Sequence, residues 1–522
     1  METRTQLRNL PIGIQNFESL RNDGYLYVDK TEQIYRLVTT GRYYFLSRPR
    51  RFGKSLLMST IHSFFSGRKD LFEGLAVASK PDVTWEEHPV LHLDLNAQEY
   101  ATKEKLQYVL NEFLLLHERR YDIDSDKSDN FGPRFSNVIR RAFEKTGRKV
   151  VILVDEYDKP MLQAIGNPEL QEAYRATLKG FYGALKSMDG CIRFALLTGV
   201  TKFGKVSVFS DLNNLNDISM DADFYDVCGI TEGELRTQFV PEIKQLAEKY
   251  GITEDECLTA LREKYDGYHF EESVPGVYNP FSLLNAFYKK KFGSYWFETG
   301  TPTYLVELLQ ERDYDLEKMS RVTADADELN SIDSTSTNPI PVIYQSGYLT
   351  IKGYDPRFQT YTLGFPNAEV EEGFTKYLMP SYIHRKENRS PFQIDNFVRD
   401  VEAGNTEQFI GRLRSLFADT PYEIIRNMET HYRNVVWLLF KLMGFYTQAE
   451  YRTSEGRIDL VVKTPKFCNV LEFKLDGTAE EALAQIQDKN YTLPFAVEDQ
   501  QIVRIGINFD SATRNIGKVL VG

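Results

Sequence analysis

Residues 149–154 read Lys-Val-Val-Ile-Leu-Val, a lysine and then an unbroken apolar run that ends on two acids, Asp155 and Glu156. An apolar run without alternation is a strand buried on both faces, and such strands belong to parallel sheets covered by helices. The pattern recurs on either side. Arg42–Ser47 (RYYFLS) and Arg193–Gly199 (RFALLTG) read as buried strands, Val90–Leu95 as a shorter one, and Lys54–Phe65 as the helix after the first. Residues 1–210 therefore predict α/β architecture.

The chain has 522 residues, too many for one hydrophobic core; typical domain sizes give roughly three or four. Apolar residues make up 42% and aromatics 13%, which argues against disorder. A net charge of −12 argues against coating nucleic acid by bulk electrostatics, although a local basic channel is compatible with that sum. No apolar run is long enough to cross a membrane, and residues 1–20 hold no secretory apolar segment. Cys191, Cys228, Cys257 and Cys468 are far apart and form no CxxC pair, the usage of a reduced compartment. A cytoplasmic protein with no membrane partner is expected.

Beyond the α/β region, Glu232–Tyr250 and Pro302–Glu311 have helical periodicity. Gly347–Leu363 reads as a hairpin turning at Asp355-Pro356. Helices followed by a hairpin fit a winged-helix module, which either reads DNA or packs as a lid. The polar stretch Ser381–Phe397 marks a boundary. The expected division is residues 1–225, 226–400 and 401–522.

The strand Arg42–Ser47 runs into Arg48-Pro-Arg-Arg-Phe-Gly53-Lys54-Ser55 and a helix. Gly-Lys-Ser at a strand-to-helix turn is the core of a P-loop, where backbone N–H groups and the helix N-terminus bind phosphate. Arg51, Phe52, Gly53, Lys54, Ser55 and Leu56 are the expected ATP-binding segment. Lys54 would reach the outer phosphates and the Ser55 hydroxyl would meet Mg²⁺. The first glycine of the general pattern is replaced by Arg48. Asp155 and Glu156 follow the apolar strand as a metal-binding aspartate and a water-polarising glutamate would, with Asp158 a further candidate. Thr198 and Thr201 are candidates for sensing the γ-phosphate, or are ordinary loop threonines. Arg50 and Arg51 add positive charge, or face solvent or a neighbouring subunit.

Near the C-terminus, Glu429–Gly444 reads as an apolar helix. Strands follow at Phe445–Arg452, Arg457–Val462 and Asn469–Leu475, then a helix at Thr478–Tyr491 and a strand at Gln501–Phe509. Asp459 sits in an otherwise apolar strand; Glu472 and Lys474 share one strand face. Charges in apolar strands are costly unless they pair or hold a metal. Asp459 and Glu472 suit Mg²⁺, and Lys474 would orient the attacking water. Glu429 and Glu450 are further candidate carboxylates, and Glu429 equally reads as a helical pair with Arg433. The alternative to a metal site is a buried ion network without catalysis.

The segments "YLYVDKTEQI", "FLSRPRRFGKSLL", "LVDEYDKP" and "LLTGVTKFGK" resemble the AAA-ATPase-like proteins of bacteria and archaea, as do "KYDGYHF", "VYNPFSLL", "YWFETGTP", "YQSGYLTIKGYD" and "FPNAEVEEGF". That family also lacks the first P-loop glycine. "GRIDLVV" and "LEFKLDGTAEEALAQI" are similar to the PD-(D/E)XK nuclease superfamily, which commonly follows in such chains. The resemblance implies a P-loop NTPase sheet, a helical and winged-helix middle region, and a C-terminal αβββαβ restriction-endonuclease-like domain. It also implies that Pro11, Gly13 and Phe17 of "LPIGIQNF" flank the adenine, the alternative being plain packing of the first turn, and that Gln485 supports the nuclease site; Gln487 and Tyr491, four apart, would share a face of that helix and are further candidates. The leading expectation is an ATPase coupled to a Mg²⁺-dependent nuclease acting on DNA. The alternatives are an ATP-dependent switch whose C-terminal domain only binds, and a nuclease with a vestigial nucleotide site.

Overall fold

The computed structural model describes residues 8–124, 128–202, 214–297, 303–311, 313–320, 322–330, 338–383, 394–418, 428–444, 448–450, 460–496, 500–513 and 515–522. The chain forms two compact units: Met1–Gly300 with Arg321–Val370, and Thr301–Ser320 with Glu371–Gly522.

The first unit is built on strands β1 (Tyr43–Ser47), β2 (Val90–Asp94), β3 (Val150–Asp155), β4 (Ile192–Gly199) and β5 (Asn216–Asp217), in the order β2-β3-β4-β1-β5. Every pairing is parallel. Every residue of β1 and β3 is buried, as their unbroken apolar runs require. The expected strands are all present with ends moved by a residue; β5 was not foreseen. Because the strands are parallel, their C-terminal ends share one edge. Ser47 pairs with Gly199 there, and Asp94 with Asp155.

The predicted helical stretch Glu232–Tyr250 is two helices, Glu232–Gln238 and Val240–Tyr250. Pro241 causes the break: it fits the first turn of a helix and not an interior. Thr231 with Glu234, and Thr253 with Glu256, form capping boxes that start Glu232–Gln238 and Glu254–Tyr265. Leu235, Phe239, Leu246, Leu261, Tyr265 and Leu283 make the core of this layer, and Leu10, Ile12, Leu26 and Val28 pack against it.

The expected hairpin is present as β7 (Thr350–Asp355) and β8 (Thr360–Gly364). The Asp355 carboxylate accepts the Arg357 N–H at 2.9 Å, which sets the turn. A distant strand, β6 (Val322–Asp325), completes an antiparallel sheet of order β6-β8-β7. Helices Ala326–Asn330 and Ile340–Gln345 come between β6 and β7 in the chain.

In the second unit, helix Met428–Gly444 precedes β9 (Gln448–Glu450), β10 (Leu460–Lys463) and β11 (Phe467–Leu475). Helix Ala479–Asp488, β12 (Gln501–Asp510) and β13 (Asn515–Val521) follow. The sheet order is β13-β12-β11-β10-β9. β11 and β12 are parallel, with Ala479–Asp488 as their crossover; the other pairings are antiparallel. The helix ends at Asp488, short of the expected Tyr491. The final strand β13 makes the described order αβββαββ, one element more than expected. Residues 384–393 of the expected boundary, and parts of the strands expected at Phe445–Arg452 and Arg457–Val462, lie outside the described residues. Among the described residues no helix is long and apolar enough to cross a membrane, and the four cysteines are free.

Candidate functional site

β1 stops at Ser47, and the loop Arg48–Gly53 turns the chain into helix Lys54–Phe65. Arg51 (φ 66°) and Gly53 (φ 95°) both take left-handed backbone. A Cβ on Gly53 would meet open space, so the demand for glycine there comes from its φ. Among the described residues, the N–H groups of residues 51–55 donate to no carbonyl or side chain. A row of free N–H groups at a helix start is an anion site. Phe52 is buried with its ring 4.7 Å from Tyr268 and 5.6 Å from Phe270. Ser55 is half-buried in the first turn. Arg51 is exposed, its guanidinium 5.0 Å from the Phe281 ring.

Lys54 is buried. Its Nζ donates to the carbonyls of Arg48 at 3.1 Å and Pro49 at 3.3 Å, and lies 3.3 Å from Glu156 Oε1. Two braces hold the loop from outside. Trp296 Nε1 donates to the Arg50 carbonyl at 3.0 Å, and Gly347 (φ 89°) leaves so little room that a Cβ there would stand 2.6 Å from Pro49. Sequence reading missed both, although "YWFETGTP" and "YQSGYLTIKGYD" contain them.

Asp155 ends β3, 4% exposed. Its Oδ1 accepts the Thr198 hydroxyl at 2.6 Å and the Glu156 N–H at 3.1 Å. Glu156 stands in left-handed backbone (φ 54°), and its carboxylate pairs with Lys54. The two other candidates turn elsewhere. Asp158 is fully buried and accepts the Val200 N–H at 3.2 Å, the Thr201 N–H at 2.6 Å and the Thr201 hydroxyl at 2.7 Å. These bonds tie the loop after β3 to the loop after β4 and leave Asp158 and Thr201 facing each other. Burial, and next the nearby Glu156 charge, push the Asp158 carboxyl up to about 6. One residue further, the Lys202 N–H donates to Gln345 Oε1 at 2.5 Å, and the Gln345 amide donates to the Leu329 carbonyl at 2.5 Å.

Beside the loop lies an apolar cavity of about 90 Å³. Phe52, Gly53 and Leu56 line it with Pro11, Leu26, Val28, Cys228 and Ile230. Of Pro11, Gly13 and Phe17, Pro11 alone lines this cavity; Phe17 packs at 5.1 Å from Tyr27 and 4.9 Å from Phe72.

In the second unit, Glu472 is 2% exposed in the middle of β11. Lys474 Nζ lies 3.3 Å from Glu472 Oε1 and donates to Gln485 Oε1 at 2.5 Å. The Gln485 amide donates to Glu472 Oε1, and to the Tyr491 hydroxyl at 3.2 Å. One glutamine from the crossover helix thus holds the carboxylate and the lysine together. Gln487 is exposed and takes no part in these bonds; Gln485, not Gln487, is the partner of Tyr491. Asp459 and the side chains of Glu429 and Glu450 lie outside the described residues.

Among the described residues no three His, Cys, Asp or Glu side chains gather into a metal cage. The donors present are hard oxygens, Ser55 and Asp155 in one unit and Glu472 in the other. They fit Mg²⁺, which keeps waters and phosphate oxygens as its remaining ligands.

Comparison with known proteins agrees with this division. Residues 11–209 match the family described as predicted AAA-ATPase, and residues 427–519 match the PD-(D/E)XK nuclease superfamily. A protein of Azotobacter chroococcum mcd 1, described as an uncharacterized protein in the vnfD 5' region, is 36% identical over 524 residues, 98% of each chain. Among solved structures, the ORC2 protein of Aeropyrum pernix in ADPNP and ADP complexes aligns over 65% of this chain and 87% of its own, at 11% identity and a TM-score of 0.23. The whole-length relative and the two domain matches show that this chain belongs to the AAA-ATPase-like family and carries a C-terminal PD-(D/E)XK nuclease-superfamily domain.

Proposed function

We propose that the chain binds and hydrolyses ATP in its first unit and that this activity governs a Mg²⁺-dependent nuclease acting on DNA in its second. The observation that carries the ATPase reading is the meeting of Lys54, Asp155 and Glu156 at one sheet edge, beside free N–H groups and an apolar cavity. In this reading the triphosphate lies along residues 51–55 and the adenine in the cavity lined by Pro11, Phe52, Leu56 and Ile230. Lys54 leaves the loop carbonyls for the outer phosphates. Ser55 and Asp155 would hold Mg²⁺, which neutralises phosphate charge when bound. Glu156 turns from Lys54 to orient the attacking water, and Thr198 fixes the Asp155 carboxylate.

The nuclease reading rests on the Glu472, Lys474 and Gln485 cluster. Glu472, with Asp459, would hold the second Mg²⁺, and Lys474 would stabilise charge developing on the phosphate. The sheet β6-β8-β7 with its two intervening helices is read as a winged helix. The divisions 1–225, 226–400 and 401–522 are read as ATPase, middle and nuclease regions. Free cysteines fit a cytoplasmic setting.

The test is purified full-length chain with plasmid DNA, Mg²⁺ and ATP. Cleavage that Asp459→Ala and Lys474→Ala abolish, and that Lys54→Ala only modulates, is the expected result. Intact ATP turnover with no cleavage of any nucleic acid would replace the nuclease by a binding module. Failure of the wild type to bind ATP would remove the first half of the reading.

A further inference from the structure

Arg48 stands where the general P-loop pattern has its first glycine, and its side chain is 1% exposed. Its guanidinium donates to the carbonyls of Ser47 at 2.9 Å, Ser219 at 2.7 Å and Phe224 at 3.2 Å. The Phe270 ring covers it, 3.9 Å from centroid to Cζ. Among the described residues no carboxylate pairs with it, and its Nε has no hydrogen-bond partner. Asp217, an acid of the neighbouring strand β5, is engaged by Lys202 at 2.9 Å. Burial pulls the guanidinium down to about 10, which leaves it cationic at neutral pH.

Asp217 and Asp226 favour its charged form only from beyond pairing distance. A buried charge with no paired carboxylate among the described residues is costly, and chains keep one where something else supplies the missing charge. Three carbonyls satisfy donors but bring no net charge. The Arg48 backbone itself accepts the Lys54 ammonium, so this cation is built into the loop that would wrap the phosphates.

We propose that Arg48 is a fixed counter-charge for the bound nucleotide, a positioning residue that acts on the phosphates through space and favours the more highly charged nucleotide. The proposal rests on the ATP-binding reading. With its fork tied to three carbonyls, the guanidinium stays in place while Lys54 moves. Its attraction grows with each phosphate charge and falls slowly with distance in a poorly polarisable interior. The competing role is a bracket that ties the end of β1 to Ser219 and Phe224.

The two roles separate in the full chain carrying Arg48→Met or Arg48→Lys, with dissociation constants for ATP and ADP and the thermal midpoint without nucleotide. The counter-charge predicts that Arg48→Met weakens ATP by about tenfold and ADP distinctly less, while the nucleotide-free midpoint holds or rises. Arg48→Lys keeps charge and keeps the wild-type ATP-to-ADP preference. Equal weakening of ATP and ADP with a lowered midpoint would make Arg48 a bracket and overturn the proposal, as would unchanged affinity in Arg48→Met. If Arg48→Met does not fold, Arg48→Lys decides: a retained preference supports the counter-charge and a lost one overturns it. A wild type that binds neither nucleotide would instead sink the ATP reading.

Discussion

The two clusters of charged residues are assembled differently. Around Lys54, the groups come from five distant stretches: the loop after β1, Asp155 to Asp158 at the end of β3, Thr198 to Lys202 at the end of β4, and the braces Trp296 and Gly347. Around Glu472, the described members come from one strand, the helix that follows it and the turn after that helix: Lys474, Gln485 and Tyr491. A site gathered from many stretches answers to changes far from its chemistry; a site made within one unit answers mainly to its own members.

The largest effects should show whether the two clusters are separate centres. Lys54→Ala is expected to lower ATP turnover by about a hundredfold or more and Lys474→Ala to lower DNA cleavage as far, each leaving the other reaction's chemical competence intact. Loss of both activities in either variant, measured by phosphate release and plasmid nicking, would merge them. Next comes the brace. Gly347→Ala forces a side chain into left-handed backbone and against Pro49, and should cost about 1–3 kcal/mol while raising the KM for ATP. Cleavage is expected to feel Gly347→Ala only as far as ATP turnover changes. A melting curve and an ATP titration superimposable on wild type would remove the contrast.

Smaller and more local, Thr198→Val takes the hydroxyl from Asp155, and Gln485→Leu takes the amide from Glu472 and Lys474. Each should slow its own reaction by about tenfold, the cost of one charge-assisted bond, with substrate affinity nearly unchanged. A larger effect of Thr198→Val on cleavage than on ATP turnover would contradict its place in the first cluster.

The smallest effect is a pH dependence within the first cluster. The Asp158 carboxyl has a folded value of about 6 against an ordinary 3.8, so between these values the folded chain holds more protons than the unfolded one. Its contribution is therefore greatest below about 4 and is lost as pH rises through about 6. Relative to Asp158→Asn, the wild type should lose stability across that window and then level off. Parallel denaturation profiles for the two proteins would show that Asp158 does not titrate there.

What the sequence made legible follows the same contrast. β1, β3 and β4 announce themselves as apolar runs because both faces are buried, and Gly53-Lys54-Ser55 and Glu472-x-Lys474 are visible because each is a local pattern. β5 is two polar residues, Asn216 and Asp217, that become a strand only by lying along the edge of β1. β6 carries Thr323 and Asp325 and finds its partner in the distant hairpin. β13 is interrupted by Gly517 and Lys518, which weakens its alternation. Asp158 and Thr201 read as site residues from their position, and only the fold reveals that they bind each other. Trp296 and Gln345 act on the loops from beyond the α/β region, and no local spacing marks such contacts.

The Trp296 bond to the Arg50 carbonyl has a practical consequence. The chain has three tryptophans, Trp85, Trp296 and Trp437, and this one is 6% exposed with its indole N–H on the phosphate loop itself. Indole emission shifts with the polarity and hydrogen bonding of its surroundings, so this contact is a native optical probe. Any movement of the loop becomes readable in real time, on unlabelled protein, without waiting for turnover.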